Sequence, residues 1–353
     1  MPSQRAVKAA CIQVLREGLD RILVLLGAVA AMISQSSNVR FVCGTAIVVI
    51  AVVVYLVISF RRALELTRLK HLPVIIAIGC SDEEYRGLVR DAINVLHDDG
   101  FDSESFERRF ALVREDFTMH IERRLSADRD EWQSLVRRVQ GMVATLHSRI
   151  PGREVFHFFL RGPGCFAIGL GAALGTKNEC IFHHYQPGAG QNSYHPVLKL
   201  TAESGTDEGL HILKTRLALN DLKHVQVTGL DGAGPKVYVG LGLAGHQPAP
   251  VRELAQRDDA SFVEIRSVYS GTIPLTADWL RIVREINSVL LELLGNSSVR
   301  ELHLFPALPL PIAFGVGMGI DTRSKVHVNQ WNFERSEYDE VLRLNELAAR
   351  EHT

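Results

Sequence analysis

One stretch of this chain occurs twice. Displacing the sequence by 146 positions sets His157 on His303, Phe159 on Phe305, Pro163 on Pro309 and Ala167 on Ala313. Gly169 then meets Gly315, Gly171 meets Gly317 and Tyr185 meets Trp331, with no gap between first and last. After a two-residue gap, 194–200 (YHPVLKL) lies on 338–344 (YDEVLRL). A duplicated unit restricts the fold severely, because both copies must satisfy one architecture. The expectation is two copies paired about a pseudo-twofold axis.

Each copy reads as strand, Gly/Pro turn, small-residue helix, strand. In the first, Val155–Leu160 (VFHFFL) is a strand, Arg161–Gly164 a turn, Cys165–Leu174 (CFAIGLGAAL) a helix and Cys180–Tyr185 a strand. In the second, Glu301–Phe305, Pro306–Pro309, Leu310–Gly319 and Val326–Trp331 take the same order. That order is a βαβ unit with a parallel sheet. Upstream of the first copy, Pro73–Gly79 (PVIIAIG) reads as a buried strand and Asp82–His97 as a helix. Phe110–Ile121 suits either a strand or a helix. Trp132–Ile150 is an amphipathic helix with Leu135, Val139, Met142, Val143 and Leu146 on one side. Upstream of the second copy, Lys236–Leu243 and Phe262–Ser267 read as strands and Trp279–Leu294 as an amphipathic helix. The fold class is α/β, with two Rossmann-like units at about 72–205 and 222–348.

The N-terminal region, 1–70, has a different character. Phe41–Phe60 (FVCGTAIVVIAVVVYLVISF) holds no charge, and twenty residues of helix span about 30 Å, a bilayer core. A shorter apolar run, Ile22–Ile33, precedes it. Together they predict a transmembrane hairpin of helices at about 20–37 and 41–60. Arg5, Lys8, Arg16 and Arg21 precede the pair and Arg61, Arg62, Arg68 and Lys70 follow it, with only Arg40 between. The positive-inside bias then places both ends in the cytoplasm and the chain in the inner membrane as a multi-pass protein. The body, 71–353, is expected on the cytoplasmic side.

Charge and cysteine usage narrow the function. Lys plus Arg number 39 against 40 Asp plus Glu, a formal charge of −1, so a long nucleic acid is not an expected partner. A small anion remains compatible. The five cysteines form no CxxC and suit a reducing compartment rather than a disulfide scaffold.

The repeat predicts a site. Ligands of open parallel sheets collect beyond the C-terminal strand ends, where helix N-termini favour phosphate. Two such edges across a pseudo-twofold suit a ligand with similar parts, a cyclic di- or trinucleotide. The strand-to-helix turns would supply N–H donors at Arg161, Gly162, Pro163 and Gly164, and at Pro306, Ala307 and Leu308. Glycines 162 and 164 permit close approach. Tyr185 and Trp331, followed by Gln186 and Asn332, end strands and would stack bases or else cap the core. The GLGAALG run lies inside a helix and lacks the dinucleotide fingerprint spacing. Adjacent His183 and His184 point to opposite faces of a strand, so no metal is expected there. GxSxG, HExxH and P-loop patterns are missing from the sequence. The expectation is a binding protein without catalytic residues or a cofactor other than its activating ligand. The enzymatic alternative is a membrane-tethered nuclease cleaving the cyclic ligand with His246, His195 or Lys199. A passive membrane scaffold or pore subunit needing a partner is the other alternative.

FHFFLRGPGCFAIGLGAAL and LHLFPALPLPIAFGVGMG resemble the strand–turn–helix signature of the SAVED domain, and the Tyr194 and Tyr338 segments resemble its tyrosine-led ending. The likeness covers about 72–348 and is strongest at 300–344. It implies two fused CARF-like units that read a cyclic oligonucleotide second messenger made by a cGAS-like nucleotidyltransferase in CBASS anti-phage defence. With the N-terminal hairpin it resembles the transmembrane-SAVED effectors. For those the family implies homo-oligomerisation on ligand binding, membrane disruption and abortive infection. The copies differ at Gly164–Cys165 against Leu310–Pro311, so the half-sites are not equivalent.

Overall fold

The computed structural model describes residues 53–55, 57–60, 69–97, 101–150, 152–188, 193–201, 209–231, 233–243, 250–320 and 322–348. The chain divides into two compact units, 1–70 with 149–154, and 71–148 with 155–353. In the smaller unit, 53–55 and 57–60 are helical, and Val53, Val54, Val57 and Ile58 are exposed.

The structure corrects one expectation in this region. Among the described residues no helix is long and apolar enough to cross a membrane. A span needs about twenty consecutive helical residues, and the described helical residues before position 61 all fall within 53–60. The multi-pass inner-membrane placement is therefore not supported. The run 22–33 and most of 41–60 lie outside the described residues.

The larger unit is an α/β body with two mixed sheets. Strand β1 (Leu69–Ile78) leads into helix α1 (Asp82–His97), which opens on a capping box. The Ser81 N–H and hydroxyl donate to Glu84 Oε2 at 2.9 and 3.0 Å, and the Glu84 N–H donates back to Ser81 Oγ at 3.4 Å. Helix α2 (Ser103–Phe110) is capped by Asp102 and stopped by Ala111 in the left-handed conformation. Strand β2 (Thr118–Ile121) follows, so the ambiguous 110–121 segment is a helix end, a 3-10 turn at Arg114–Asp116 and a short strand. Helix α3 (Arg129–Arg149), β3 (Arg153–Arg161), α4 (Gly164–Leu174), β4 (Glu179–Tyr185) and β5 (Tyr194–Leu200) complete the first sheet.

The second sheet is built from β6 (Val225–Thr228), β7 (Lys236–Gly242), β8 (Ser261–Ser267), β9 (Glu301–Ala307), β10 (Val326–Asn332) and β11 (Glu337–Arg343). Its helices are α5 (Val251–Arg257), α6 (Trp279–Gly295), α7 (Leu310–Ile320) and the single turn α8 (Leu344–Leu347). The strand orders are β2-β1-β3-β4-β5 and β11-β10-β9-β7-β8-β6. Read from the other edge, the second repeats the first, with β6 added. β3 and β9 are central, which explains why each reads as an apolar run interrupted by a single histidine, His157 or His303.

The repeat extends to detail. Helix α4 displaced by 146 is α7, residue for residue at both ends. β5 and β11 both pair antiparallel, and each partner strand breaks register at matching places, Phe182/His183 and Val328/Asn329. The two copies meet through α4 and α7, which are buried on nearly all sides. A Cβ built on Gly171 would strike the Phe314 carbonyl oxygen, and one on Gly317 would strike that of Ile168. Those pairs interchange under the 146-residue shift, as a twofold crossing of backbones requires. Small residues recur along both helices because only they let two helices approach so closely. Gly169 faces Leu342 of β11, and Gly315 faces Leu198 of β5, a second exchanged pair.

Candidate functional site

Where the copies meet, a cleft of about 1050 Å³ opens, at the upper end for small-ligand pockets. Its walls are the C-terminal ends of β1, β3, β4 and β10, the turn after β9, the N-termini of α4 and α7, and the 124–127 loop before α3. This is the edge at which open α/β sheets take ligands.

Of the eleven expected residues, Arg161, Gly162, Pro163, Gly164, Tyr185, Leu308, Trp331 and Asn332 line the cleft. The two strand-to-helix turns lie together, since a Cβ on Gly164 would sit 3.8 Å from the Leu308 carbonyl oxygen. A Cβ on Gly162 would press to 3.2 Å from that of Ile78, which favours glycine there. Pro163 caps α4 without a side-chain hydrogen bond; its carbonyl accepts from the Phe166 N–H at 3.1 Å, which leaves the Gly164 and Cys165 N–H groups to other acceptors. Pro309 and Pro311 have no N–H, so the second turn offers fewer donors.

Three expected residues lie elsewhere. Pro306 and Ala307 belong to β9, registered on Leu241 and Gly242 of β7, because β7 is long enough to hold the strand past Phe305. Gln186 follows β4; its N–H donates to the Ser193 carbonyl at 2.8 Å, and its Oε1 is buried without a partner. Of the nuclease candidates, His195 and Lys199 lie on β5 outside the cleft lining, and His246 is outside the described residues.

The aromatic positions match across the copies. Tyr185 sits 5.2 Å from Tyr194, and Trp331 stands edge-on to Tyr338 at 5.0 Å. Tyr185 is 39% exposed and Phe333, on the β10–β11 hairpin, 75% exposed. Asn332 is engaged in its hairpin, donating to Asp339 Oδ2 at 2.9 Å and accepting from the Glu334 N–H at 3.0 Å.

Charges in the cleft are mostly paired. Arg161 donates to Glu84 Oε1 at 3.2 Å and lies over the Tyr185 ring at 5.3 Å. Hydrogen bonds from Ser81, the backbone N–H first, hold the Glu84 carboxyl below its ordinary range, and Arg161 adds to the effect. Arg335 pairs with Asp339 and with Glu337. Arg124 is exposed at the cleft and has no carboxylate partner among the described residues.

A row of histidines ends at this wall. His71 Nδ1 lies 2.8 Å from His157 Nε2, and His157 Nδ1 lies 2.9 Å from His183 Nε2. His183 lines the cleft, and its Nδ1 is buried without a partner. Burial pushes His157 down to about 2 and His183 to about 3, so both are neutral near pH 7. A neutral imidazole offers one N–H and one lone pair.

Residues 218–344 match the SAVED family, the SMODS-associated and fused to various effectors sensor domain. The SAVED match covers the second copy, from just before β6 to the end of β11. No curated protein matches the chain. Among solved structures, the Acinetobacter baumannii Cap4 SAVED/CARF-domain containing receptor with 3′3′3′-cAAA aligns at a TM-score of 0.48 and 13% identity. That alignment covers 81% of this chain and 56% of that one. The same receptor with 2′3′3′-cAAA gives 0.47 and 13%, over 83% and 55%. The Moraxella osloensis Cap4 receptor gives 0.43 and 13%, over 80% and 51%. The chain thus spans about half the length of the solved structures it matches.

The segments that resemble the SAVED signature marked the turns and helices, but not the residues that reach the cleft from other elements. Glu84 was missed; the Ser81-x-x-Glu84 spacing of a capping box is the one signal that could have pointed to it. Arg124 and Phe333 carried no signal, because a loop and a hairpin tip are brought to the site by the chain's path alone.

Proposed function

We propose that this chain is a receptor for a cyclic oligonucleotide, bound in the cleft between the two copies, which are CARF-like units. The observation that carries the reading is the convergence of two duplicated strand-to-helix turns and the Tyr185 and Trp331 rings on one large cleft. The SAVED match, to a sensor domain, supports it. Phosphates would meet the first-turn N–H groups of α4, with Arg124 as the unpaired cation. Bases would lie against Tyr185, Trp331 and Phe333, and His183 Nδ1 would take one further hydrogen bond. The ligand would be a second messenger made by a cGAS-like nucleotidyltransferase in CBASS defence. Its binding would drive self-assembly of the chain, the event that turns sensing into output.

The test is titration calorimetry on the full chain with 3′3′3′-cAAA, 2′3′3′-cAAA and a set of cyclic dinucleotides. Mass measurement follows for any ligand that binds. Saturable binding of one cyclic species is expected. Trp331→Ala should weaken it about 5- to 150-fold, the worth of one stacked base. Failure of every cyclic species to bind, or equal affinity for linear mononucleotides, refutes the reading.

A further inference from the structure

A second cluster of chemical groups lies at the other end of the second sheet. Glu301 and His303 share one face of β9, being two apart on a strand. His327 of β10 is registered directly on His303, and the two rings stack at 4.4 Å and 17°. One ligand atom from each of the three lies within 4.8 Å of the others. His303 Nε2 is 3.7 Å from Glu301 Oε2 and is buried without a hydrogen-bond partner. His303 and His327 are each 8% exposed, whereas Glu301 reaches the surface and leaves a path for entry.

We propose that Glu301, His303 and His327 form a binding site for a divalent transition metal of the zinc class. Two imidazoles and a carboxylate are a zinc-type donor set, with a fourth position left for water. In such a site neighbouring donors stand roughly 3.3 Å apart, so rotations that move the side-chain tips by about 1 Å assemble it. The supporting shell is already in place. Glu340 Oε2 is 2.8 Å from His327 Nδ1, the carboxylate–histidine arrangement that fixes a tautomer and turns the Nε2 lone pair outward. Glu340 is itself held by Arg343 at 2.7 Å and Arg129 at 3.2 Å. The nearby Lys236 is occupied with Asp258 at 3.8 Å and with the Tyr238 ring.

The first copy is an internal control. His157 matches His303, but Val155 stands where Glu301 does and Ile181 where His327 does. There the corresponding nitrogen of His157 is bonded to His71. Only in the second copy is the shared histidine given a metal-binding neighbourhood and an unspent nitrogen.

The experiment is zinc titration of the full chain after chelator treatment and buffer exchange, read by calorimetry and elemental analysis. Co²⁺ serves as a second probe, read by visible absorption. One ion per chain is expected. Glu301→Gln, at a half-exposed position that tolerates substitution, and Glu340→Gln should each weaken binding about 10- to 100-fold. His327→Gln should abolish stoichiometric binding. The absence of saturable zinc binding, or wild-type affinity in both Glu301→Gln and His327→Gln, overturns the proposal. Neither outcome depends on a nucleotide ligand.

Discussion

Replacing Gly171 by alanine tests the crossing on which the cleft is built. In an ordinary helix the change is favourable, by up to about 1 kcal/mol. Gly141 in α3 is such a place, with nothing within 4 Å of an added Cβ. At Gly171 the same methyl falls inside the Phe314 carbonyl oxygen and comes to 2.9 Å from its carbon and 3.0 Å from Met318 N. Real Cβ atoms essentially never stand closer than 3.0 Å to such atoms. The obstacle is backbone and has no rotamer by which to yield, so α4 and α7 must separate by roughly 1 Å. A gap of that size forfeits about a quarter to a half of each dispersion contact along the interface. The net cost should sit at the top of the overpacking range, about 3 kcal/mol. Gly317→Ala should cost the same, being the reciprocal contact against Ile168. The double variant should cost well under the sum, because separation forced by one methyl makes room for the other. Urea unfolding of the four variants, Gly141→Ala included, measures all of this. If Gly171→Ala is neutral, or the pair is additive, the close crossing is refuted.

Acid should weaken the body through His157 and His183. Both are held below the ordinary histidine value by burial, to about 2 and about 3, so they stay neutral in the folded chain. Above pH 6.5 they are neutral in both states and cost nothing. As pH falls through 6.5 the unfolded chain takes up protons that the folded one refuses, and about 1.4 kcal/mol per pH unit is lost for each. The pair should therefore remove about 5 kcal/mol by pH 4.5. An unfolding free energy that stays flat from pH 6.5 to 4.5 contradicts this. Glu285 is fully buried and accepts from the Lys223, His224 and Val225 N–H groups at 3.0, 2.7 and 3.1 Å and from Arg281 Nε at 3.0 Å. Glu285→Ala should cost about 3–5 kcal/mol by orphaning those donors. A loss under 1 kcal/mol in urea unfolding would show that the β6 entry is held by something else.

The duplicated segments made the central strands and the two small-residue helices legible, because a buried parallel strand and an all-apolar helix must be spelled almost wholly in apolar residues. The same pattern aligned Gly169 and Gly171 with Gly315 and Gly317, but did not show that two helices cross there. It was silent on β5 and β11 as antiparallel edges, on β6, and on the short α5. Edge strands and seven-residue helices bury one face at most and leave a weak period. The apolar runs before position 61 illustrate the reverse limit. Their composition suggested bilayer spans, and the described helical residues there do not reach that length.

The linear order of residues determined that the chain folds as two like α/β units, and where their strand-to-helix turns fall. Only the tertiary structure decided which side chains join those turns. Arg124, His183 and Phe333 come from other elements and converge because α4 and α7 cross at backbone distance. The cluster of Glu301, His303 and His327 depends in the same way on the register of β9 against β10. That register depends on which faces the whole sheet buries, so the meeting of His303 with His327 is not written in either strand alone.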